Sequence, residues 1–428
     1  MKMSDIKFLE RLFQAYYQEK SNEIPLVSSF GNREFGFIPW QKSIMIRHIG
    51  FKNRAQLIDH FTNNPPKHAY ASGTLYEQPE APDMEKKHYK GCDLIIDIDV
   101  DHFYTPCKDR HDLWYCKECG TNGTGMPEKC PKCGKVKFSK LNWVCDNCLE
   151  IAKKQIQNLV YNFLIPDFNL MEEQMQIAFS GHRGYHLKVE NDEIRTLSSE
   201  ERREIVDYLT GENISFEILG LREKSEGIYG LSKTNIGWSQ KIVQQIEGLV
   251  SKHNLEIENI LLDKKTFDMN PKQIKSFLNY KDDFHQQILN RHRNIWAIEG
   301  FGLALWKKFL RGIVQQISIE LDEPVSIDIH RLIRYPGSLH GKTGFKVQEL
   351  KLADLDDYSP LNEQNVDLDP IVFISKKHVK QKLEITEQKV PPTTFKGETY
   401  GPYEKGDKIE VPHHFAVFFL CKEVAKTL

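Results

Sequence analysis

The segment Leu94-Ile-Ile-Asp-Ile-Asp-Val-Asp101 constrains this chain more than any other. Its alternation has a period of two, the period of a β-strand. Leu94, Ile96, Ile98 and Val100 fall on one face, and Asp97, Asp99 and Asp101 on the other. The apolar face must be covered, so this strand belongs to a sheet packed on a core. The opposite face stacks three carboxylates with no Lys or Arg between them, which costs free energy unless a cation neutralises them. Mg²⁺ or Mn²⁺ suits such a face, because hard cations prefer carboxylate oxygens. The competing reading is a solvated edge strand with an acidic outer side. A third carboxylate brought in from elsewhere would favour the metal, and Asp328, in Val325-Ser-Ile-Asp-Ile-His-Arg, is the candidate.

The cysteines add a second constraint. The chain has nine, and seven lie between Cys107 and Cys148. Clustered CxxC pairs read as metal ligands and not as disulfides. Four half-sites can be written: Cys107 with His111, Cys116 with Cys119, Cys130 with Cys133, and Cys145 with Cys148. Eight ligands make two tetrahedral Zn²⁺ sites, each closed by four protein groups and so structural. A nested arrangement is expected, with Cys116, Cys119, Cys130 and Cys133 inside and Cys107, His111, Cys145 and Cys148 closing an outer site. A cross-braced pairing is the alternative, and His102 competes with His111. Cys92 and Cys421 read as ordinary buried thiols.

Two further stretches are rich in groups that bind phosphate. Ser180-Gly-His-Arg-Gly-Tyr-His186 lies between two strand-like patterns in Met175 to Val189. Its glycines let the backbone approach a ligand, Arg183 can fork onto phosphate oxygens, and Ser180 and His186 add short polar arms. A polar hairpin turn is the plain alternative. The stretch from Arg331 to Gly344 contains Gly341-Lys-Thr but is no P-loop, because the first glycine that loop requires would fall on Pro336. Gly341-Lys-Thr-Gly344 instead reads as a turn presenting basic neighbours.

Ile6, Leu9, Phe13, Tyr16 and Tyr17 predict an opening amphipathic helix. Glu34 to Ile38 and Ile44 to Arg47 predict a hairpin. Leu149, Ala152, Ile156, Leu159, Val160 and Phe163 predict a helix after the cysteines. Residues 198–320 read as helical, residues 325–373 as a return to β structure, and 376–408, with Pro391-Pro392, as an extended surface segment. A helix is expected over His413 to Thr427. The chain of 428 residues is 40% hydrophobic and 28% charged, a globular profile with a formal net charge of −2. No segment approaches the roughly 20 apolar residues of a membrane span, and no signal peptide is recognisable, so a cytoplasmic, nucleoid-associated location is expected. The charge counts modestly against a protein that coats DNA, but not against one that grips a short stretch with a local patch.

Taken in order, the acidic strand, the cysteine cluster, SGxRGxH, the helical insert and Asp-x-His-Arg-Leu-Ile-Arg-x-Pro-Gly-Ser-Leu-His-Gly-Lys-Thr-Gly resemble the small, catalytic subunit of archaeal and eukaryotic primases. Asn32-Arg-Glu-Phe-Gly-Phe, Arg47 and Phe395-Lys-Gly-Glu-Thr-Tyr-Gly-Pro-Tyr extend the likeness over nearly the whole chain, most weakly through the insert. The resemblance implies a mixed α/β (α+β) primase-type catalytic core with a zinc-binding insertion and an inserted helical subdomain. The first part of the core would span 1–195, with the zinc region at about 105–150, the helical insert 196–320, and the second part with a C-terminal extension 321–428.

It implies that Asp97, Asp99 and Asp328 hold two catalytic Mg²⁺ or Mn²⁺ ions. Ser180, Arg183 and His186 would hold the incoming nucleotide's phosphates, Arg334 and His340 would lie near that nucleotide, and Arg47 would touch phosphate. Asp101 extends the acidic face and stays outside the catalytic set. The outer four zinc ligands resemble the family's zinc knuckle, and the inner ribbon resembles an insertion of some archaeal members. The activity implied is synthesis of short RNA, or alternatively DNA, primers on single-stranded DNA from nucleoside triphosphates, in a heterodimer with a large subunit. A repair polymerase of the same superfamily, extending existing ends, is the alternative enzyme. A zinc-ribbon binding subunit without catalysis would have degenerate carboxylates, whereas all three are present here.

Overall fold

The computed structural model describes residues 2–289, 294–375, 377 and 380–428. The chain divides into two compact units. One comprises Met1–Ile156, Glu172–Arg202 and Leu321–Leu428, and the other Gln157–Met171 and Arg203–Glu320.

The strands that build the first unit's centre are β1 (Arg33–Ile38), β2 (Ile46–Ile49), β3 (His68–Tyr76), β4 (Tyr89–Cys92), β5 (Leu94–Asp99), β6 (Met175–Phe179), β7 (Gly184–Val189), β8 (Leu332–Arg334) and β9 (Gln348–Leu350). They form two sheets. One has the order β8-β3-β1-β2, with β4 also on β3; the other has the order β9-β6-β7-β5. All of these pairings are antiparallel. The mixed α/β core read from the sequence is therefore present. β5 realises the alternation as far as Asp99: Leu94, Ile96 and Ile98 are buried while Asp97 and Asp99 stay partly open, but Val100 and Asp101 fall in the turn beyond the strand and not on it as expected.

The opening helix, Met3–Glu19, buries Leu9, Phe13, Tyr16 and Tyr17, the stripe its periodicity predicts. β1 and β2 form the expected hairpin. Phe35 and Phe37 turn inward from β1, Phe35 lying 4.9 Å from the ring of Phe51 and Phe37 5.8 Å from that of Phe61. The start of β5 is tied to the other sheet by a buried ion cluster. Arg33 Nη2 meets Asp93 Oδ2 at 2.6 Å, and Arg195 Nε meets Asp93 Oδ1 at 2.7 Å. Arg33 Nη1 also donates to the carbonyl of Gly73 at 2.6 Å.

Three expectations are corrected. Residues 325–373 hold only short regular pieces: a helix Glu323–Ile327, β8, β9 and a single 3₁₀ turn at Leu352–Asp354. Their apolar residues fill the core from loops, anchored by buried Tyr335, Phe345 and Val347. The stretch 376–408 is not a bare extended segment. Residues 376, 378 and 379 lie outside the described ones, and from Lys380 the chain forms strands Lys380–Ile385, Lys389–Val390, Thr393–Phe395 and Glu398–Tyr400. Leu383, Ile385, Val390 and Phe395 are buried there, an alternation hidden among polar neighbours. The closing helix stops at Cys421, and Ala425–Thr427 pairs with Lys380–Ile385 instead.

In the second unit, the helices Trp238–Val250 and Leu303–Ile317 pack together. Its core is aromatic: the ring of Trp306 lies 5.1 Å from Trp296 and 5.0 Å from both Phe284 and Phe301. Strands Arg222–Lys224, Gly227–Tyr229 and Ile295–Trp296 form a small sheet beside it.

Asp93 and Arg33 are both buried, so removing one charge strands the other. Asp93→Asn is expected to cost about 3 kcal/mol or more of unfolding free energy in urea denaturation.

Candidate active site

Asp97 and Asp99 stand on the open face of β5, opposite β7. The register sets His186 across from Asp97 and Gly184 across from Asp99. His186 Nε2 approaches Asp97 Oδ1 to 3.3 Å, yet neither Asp97 Oδ1 nor His186 Nδ1 has an aligned hydrogen-bond partner. A buried carboxylate oxygen without a donor is unstable as an anion, and Asp97 is pushed up to about 8 by burial and by the charges of Asp99 and Asp322. Burial also raises Asp99, against the opposing pull of Arg183. Burial, with Arg334 nearby, pushes His186 down to about 3, so its ring is neutral. The donor set is two adjacent hard oxygens that lack a positive partner at bonding distance. That is the setting a divalent cation suits.

Asp328 does not complete the predicted triad. It ends the helix Glu323–Ile327, is exposed, and turns its Oδ1 back to the amide of His330 at 2.8 Å. The group of acidic and imidazole side chains that does converge here is Asp99, Asp101 and His182, with ligand atoms within 4.8 Å of one another. The loop that carries Asp328 is nevertheless pinned close to the sheet. Thr74 Oγ1 donates to the carbonyl of Ile329, and Tyr76 Oη lies 3.2 Å from His330 Nδ1. Arg47 contributes to this anchoring. Its guanidinium forks onto Glu34 at 2.9 and 3.3 Å and reaches the carbonyl of His330 at 3.1 Å, so it holds the scaffold as placed.

The turn from Ser180 to His186 is built by close approach. Gly181 has φ +78, in the left-handed region, and a Cβ there would sit 2.8 Å from His340 Cβ. A Cβ on Gly184 would lie 2.1 Å from the carbonyl oxygen of Ile98. Ser180 is buried, and its hydroxyl accepts from the amide of His182 at 3.3 Å. His182 stacks on His340 with centroids 5.0 Å apart and 10° between planes, and His340 stands edge-on to His68 at 4.9 Å. Arg334 Nη1 meets His68 Nδ1 at 2.9 Å. Lys422 Nζ binds His182 Nε2 at 2.9 Å and the carbonyl of Asn142 at 2.8 Å. A cavity of about 830 Å³ opens beside this cluster, lined by Lys140, Asn142, His182, Lys342 and Lys422 among others.

Arg183 departs from its expected role. It was expected to fork onto phosphate, but it is fully buried and bonded within the protein. Nη1 contacts both oxygens of Asp112 at 2.8 Å and the carbonyl of Trp143 at 2.8 Å, and Nη2 is paired with Asp101 Oδ1. A buried guanidinium needs such partners, and the fold supplies them before any ligand can.

The eight predicted zinc ligands gather in two groups, Cys107 with His111, Cys145 and Cys148, and Cys116 with Cys119, Cys130 and Cys133. In the outer group Cys107 and Cys148 sulfurs are 3.2 Å apart, and His111 Nε2 lies 3.2 Å from Cys145 Sγ. In the inner group the Cys116–Cys133 and Cys119–Cys130 sulfur distances are both 3.6 Å. Sulfurs about 2.3 Å from a tetrahedral zinc stand roughly 3.8 Å apart, so both sets fit that ion. The two inner knuckles share one geometry: Gly120 and Gly134, each at positive φ, donate back to the carbonyls of Cys116 and Cys130.

Asp112, Asp322, His182 and Lys422 are the site's additions to the sequence reading. Only His182, inside SGxRGxH, had a signal in the sequence.

Gly184→Ala is expected to force β5 and β7 apart and cost about 1–3 kcal/mol in thermal denaturation. Gly248→Ala, where an added Cβ meets nothing within 4 Å, is the helical control and should be neutral or stabilising by up to about 1 kcal/mol.

The family model described as DNA primase small subunit matches residues 134–351. The chain is 30% identical to the DNA primase small subunit PriS of Methanothrix thermoacetophila, over 98% of both chains. It is 29% identical to that of Methanocella arvoryzae, over 97% of this chain and 96% of the relative, and 27% identical to that of Nitrosopumilus maritimus, over 99% of both. With a family match over half its length and relatives aligned from end to end, this chain belongs to the DNA primase small subunit family.

Proposed function

We propose that this protein is a template-directed nucleotidyltransferase that makes short RNA primers on single-stranded DNA from nucleoside triphosphates. The observation that carries this reading is the pair of carboxylates Asp97 and Asp99 on one face of β5, opposite His186 and Gly184 of β7, with Asp97 Oδ1 buried and unpartnered. In the reaction, the 3′-hydroxyl oxygen bonds to the α-phosphorus of the incoming nucleotide, the bond to the bridging oxygen breaks, and pyrophosphate leaves. Asp97 and Asp99, with Asp328 of the loop held close to the sheet, would hold two Mg²⁺ or Mn²⁺ ions, which when bound supply Lewis-acid charge to the attacking and leaving oxygens.

The chain's own groups do the rest. Gly184 lets β7 close against the backbone of Ile98 and Asp99, which fixes where the Asp99 carboxylate stands. Ser180, Arg334, His340 and His186 bind and orient the phosphates, with Lys342 lining the adjoining cavity and Lys422 bracing His182. Arg47 acts through Glu34 and the His330 carbonyl to hold the Asp328 loop. Arg183 acts as a strut. The template selects the base by pairing, and the protein grips the backbone. The two cysteine clusters would hold structural Zn²⁺, and a primase large subunit would be the partner. Among the described residues no helix is long and apolar enough to cross a membrane.

The test is incubation with unprimed single-stranded DNA, labelled nucleotides and Mg²⁺ or Mn²⁺, beside Asp97→Asn/Asp99→Asn. New short chains from the native protein, at least 10³-fold fewer with the variant, are expected, on the order of what removing catalytic groups costs. Extension of an added primer with nothing on bare template, even with the large subunit present, would favour the repair polymerase instead. Elemental analysis should find about two zinc ions per chain, falling to about one in Cys130→Ser.

A further inference from the structure

The link between the outer cysteine cluster and the carboxylates runs through one side chain that no motif contains. Asp112 is 2% exposed, yet it accepts from three directions. His111 Nδ1 lies 2.9 Å from its Oδ1, the Trp143 amide donates to the same oxygen at 2.9 Å, and Arg183 Nη1 spans both oxygens at 2.8 Å. The first contact sets the histidine tautomer. With Nδ1–H donating to Asp112, the Nε2 lone pair faces the sulfurs of Cys145 and Cys148 at 3.2 and 3.5 Å.

The third contact leads to the catalytic strand. Arg183 Nη2 holds Asp101 Oδ1, and Asn142 Nδ2 holds Asp101 Oδ2 at 2.9 Å. The backbone amide of Asp101 donates to Asp99 Oδ1 at 2.9 Å, and the amide of Val100 donates to the Arg183 carbonyl at 3.3 Å. Every member from Asp112 to Asp99 is thus tied to the next by a hydrogen bond or ion pair. Asp112 and Arg183 are buried, so a partner lost at that end cannot be replaced by water.

We propose that Asp112 is a positioning residue that couples the His111 cluster to the catalytic carboxylates: it orients Arg183, which sets Asp101 and through it the carboxylate of Asp99. The coupling rests on the reading of Asp97 and Asp99 as cation ligands. It gives the residue beside His111 a second task beyond folding: holding in place the groups that fix the catalytic carboxylates. Asp101 then serves as the clamp of the acidic strand.

The experiment uses the full chain. Mn²⁺ binding is followed by electron paramagnetic resonance, zinc content by elemental analysis, and kcat and KM by primer synthesis. Asp112→Asn is expected to weaken Mn²⁺ binding about tenfold or more, the range for groups that orient metal ligands, with zinc retained and nucleotide KM unchanged. Asp112→Glu should recover part of the loss. Arg183→Lys keeps the charge but cannot span Asp112 and Asp101 together, so it should show the same loss, and the double variant no more than either single one. Unchanged Mn²⁺ affinity in folded Asp112→Asn, or additive losses in the double variant, would overturn the coupling. If Asp112→Asn does not fold, Arg183→Lys decides in the same way. Asp97→Asn/Asp99→Asn separates the two readings: Mn²⁺ binding that survives it defeats the assignment of the cation ligands themselves.

Discussion

A buried guanidinium organises the centre of this molecule. Arg183 has no access to water, and a charge taken out of water is costly unless several partners meet it. Here the partners are Asp112, Asp101 and the carbonyl of Trp143, and they come from different segments. The stretch Cys107–Cys148, the end of the acidic strand and the turn after β6 must therefore meet at one point. That requirement explains the crowding of the turn. Gly181 and Gly184 sit where any side chain would collide with His340 or with the backbone of Ile98.

Around this point the fold keeps opposite charges close but unmerged. Burial raises both Asp97 and Asp99, Asp97 also through the charges of Asp99 and Asp322, and His186 is held neutral beside them. Lys422 and His182 are likewise driven toward their neutral forms by burial and by neighbouring cations. Carboxylates raised in this way are the kind of group that a divalent ion, by bringing the missing charge, returns to the ionised form. Binding such a ligand relieves a cost the protein already carries, and this is how a preorganised site converts folding free energy into affinity.

The cysteine clusters differ in kind. The inner one has its own small sheet, in which Leu113–Cys116 pairs with Asn122–Thr124 and Phe138–Leu141, and its own packing of Trp114 against Phe138 at 5.3 Å. The outer one has no such independence. Its histidine leans on Asp112, and Asp112 leans on the core.

Much of this was legible in the residues because it depends on local periodicity and spacing. The alternation from Leu94 to Asp99 determined a strand with one buried and one acidic face. The cysteine spacing marked four half-sites, whose pairing the fold then decided, and the helical stripe of Leu9, Phe13, Tyr16 and Tyr17 determined the opening helix. The strands from Lys380 onward were not legible, because Leu383 and Ile385 are two apolar residues in a polar run. Their pairing with Lys408–Pro412 and Ala425–Thr427 is a long-range choice. Nor was the employment of Arg183. A motif says that an arginine stands near a phosphate-binding turn, but not which way its side chain lies. Asp112 and Asp101, 71 and 82 residues away in the chain, are what draw it inward. Sequence alone determined which chemistry the chain carries. The tertiary structure decided which of those groups face a ligand and which hold the others in place, because burial and partner choice depend on contacts that no local pattern encodes.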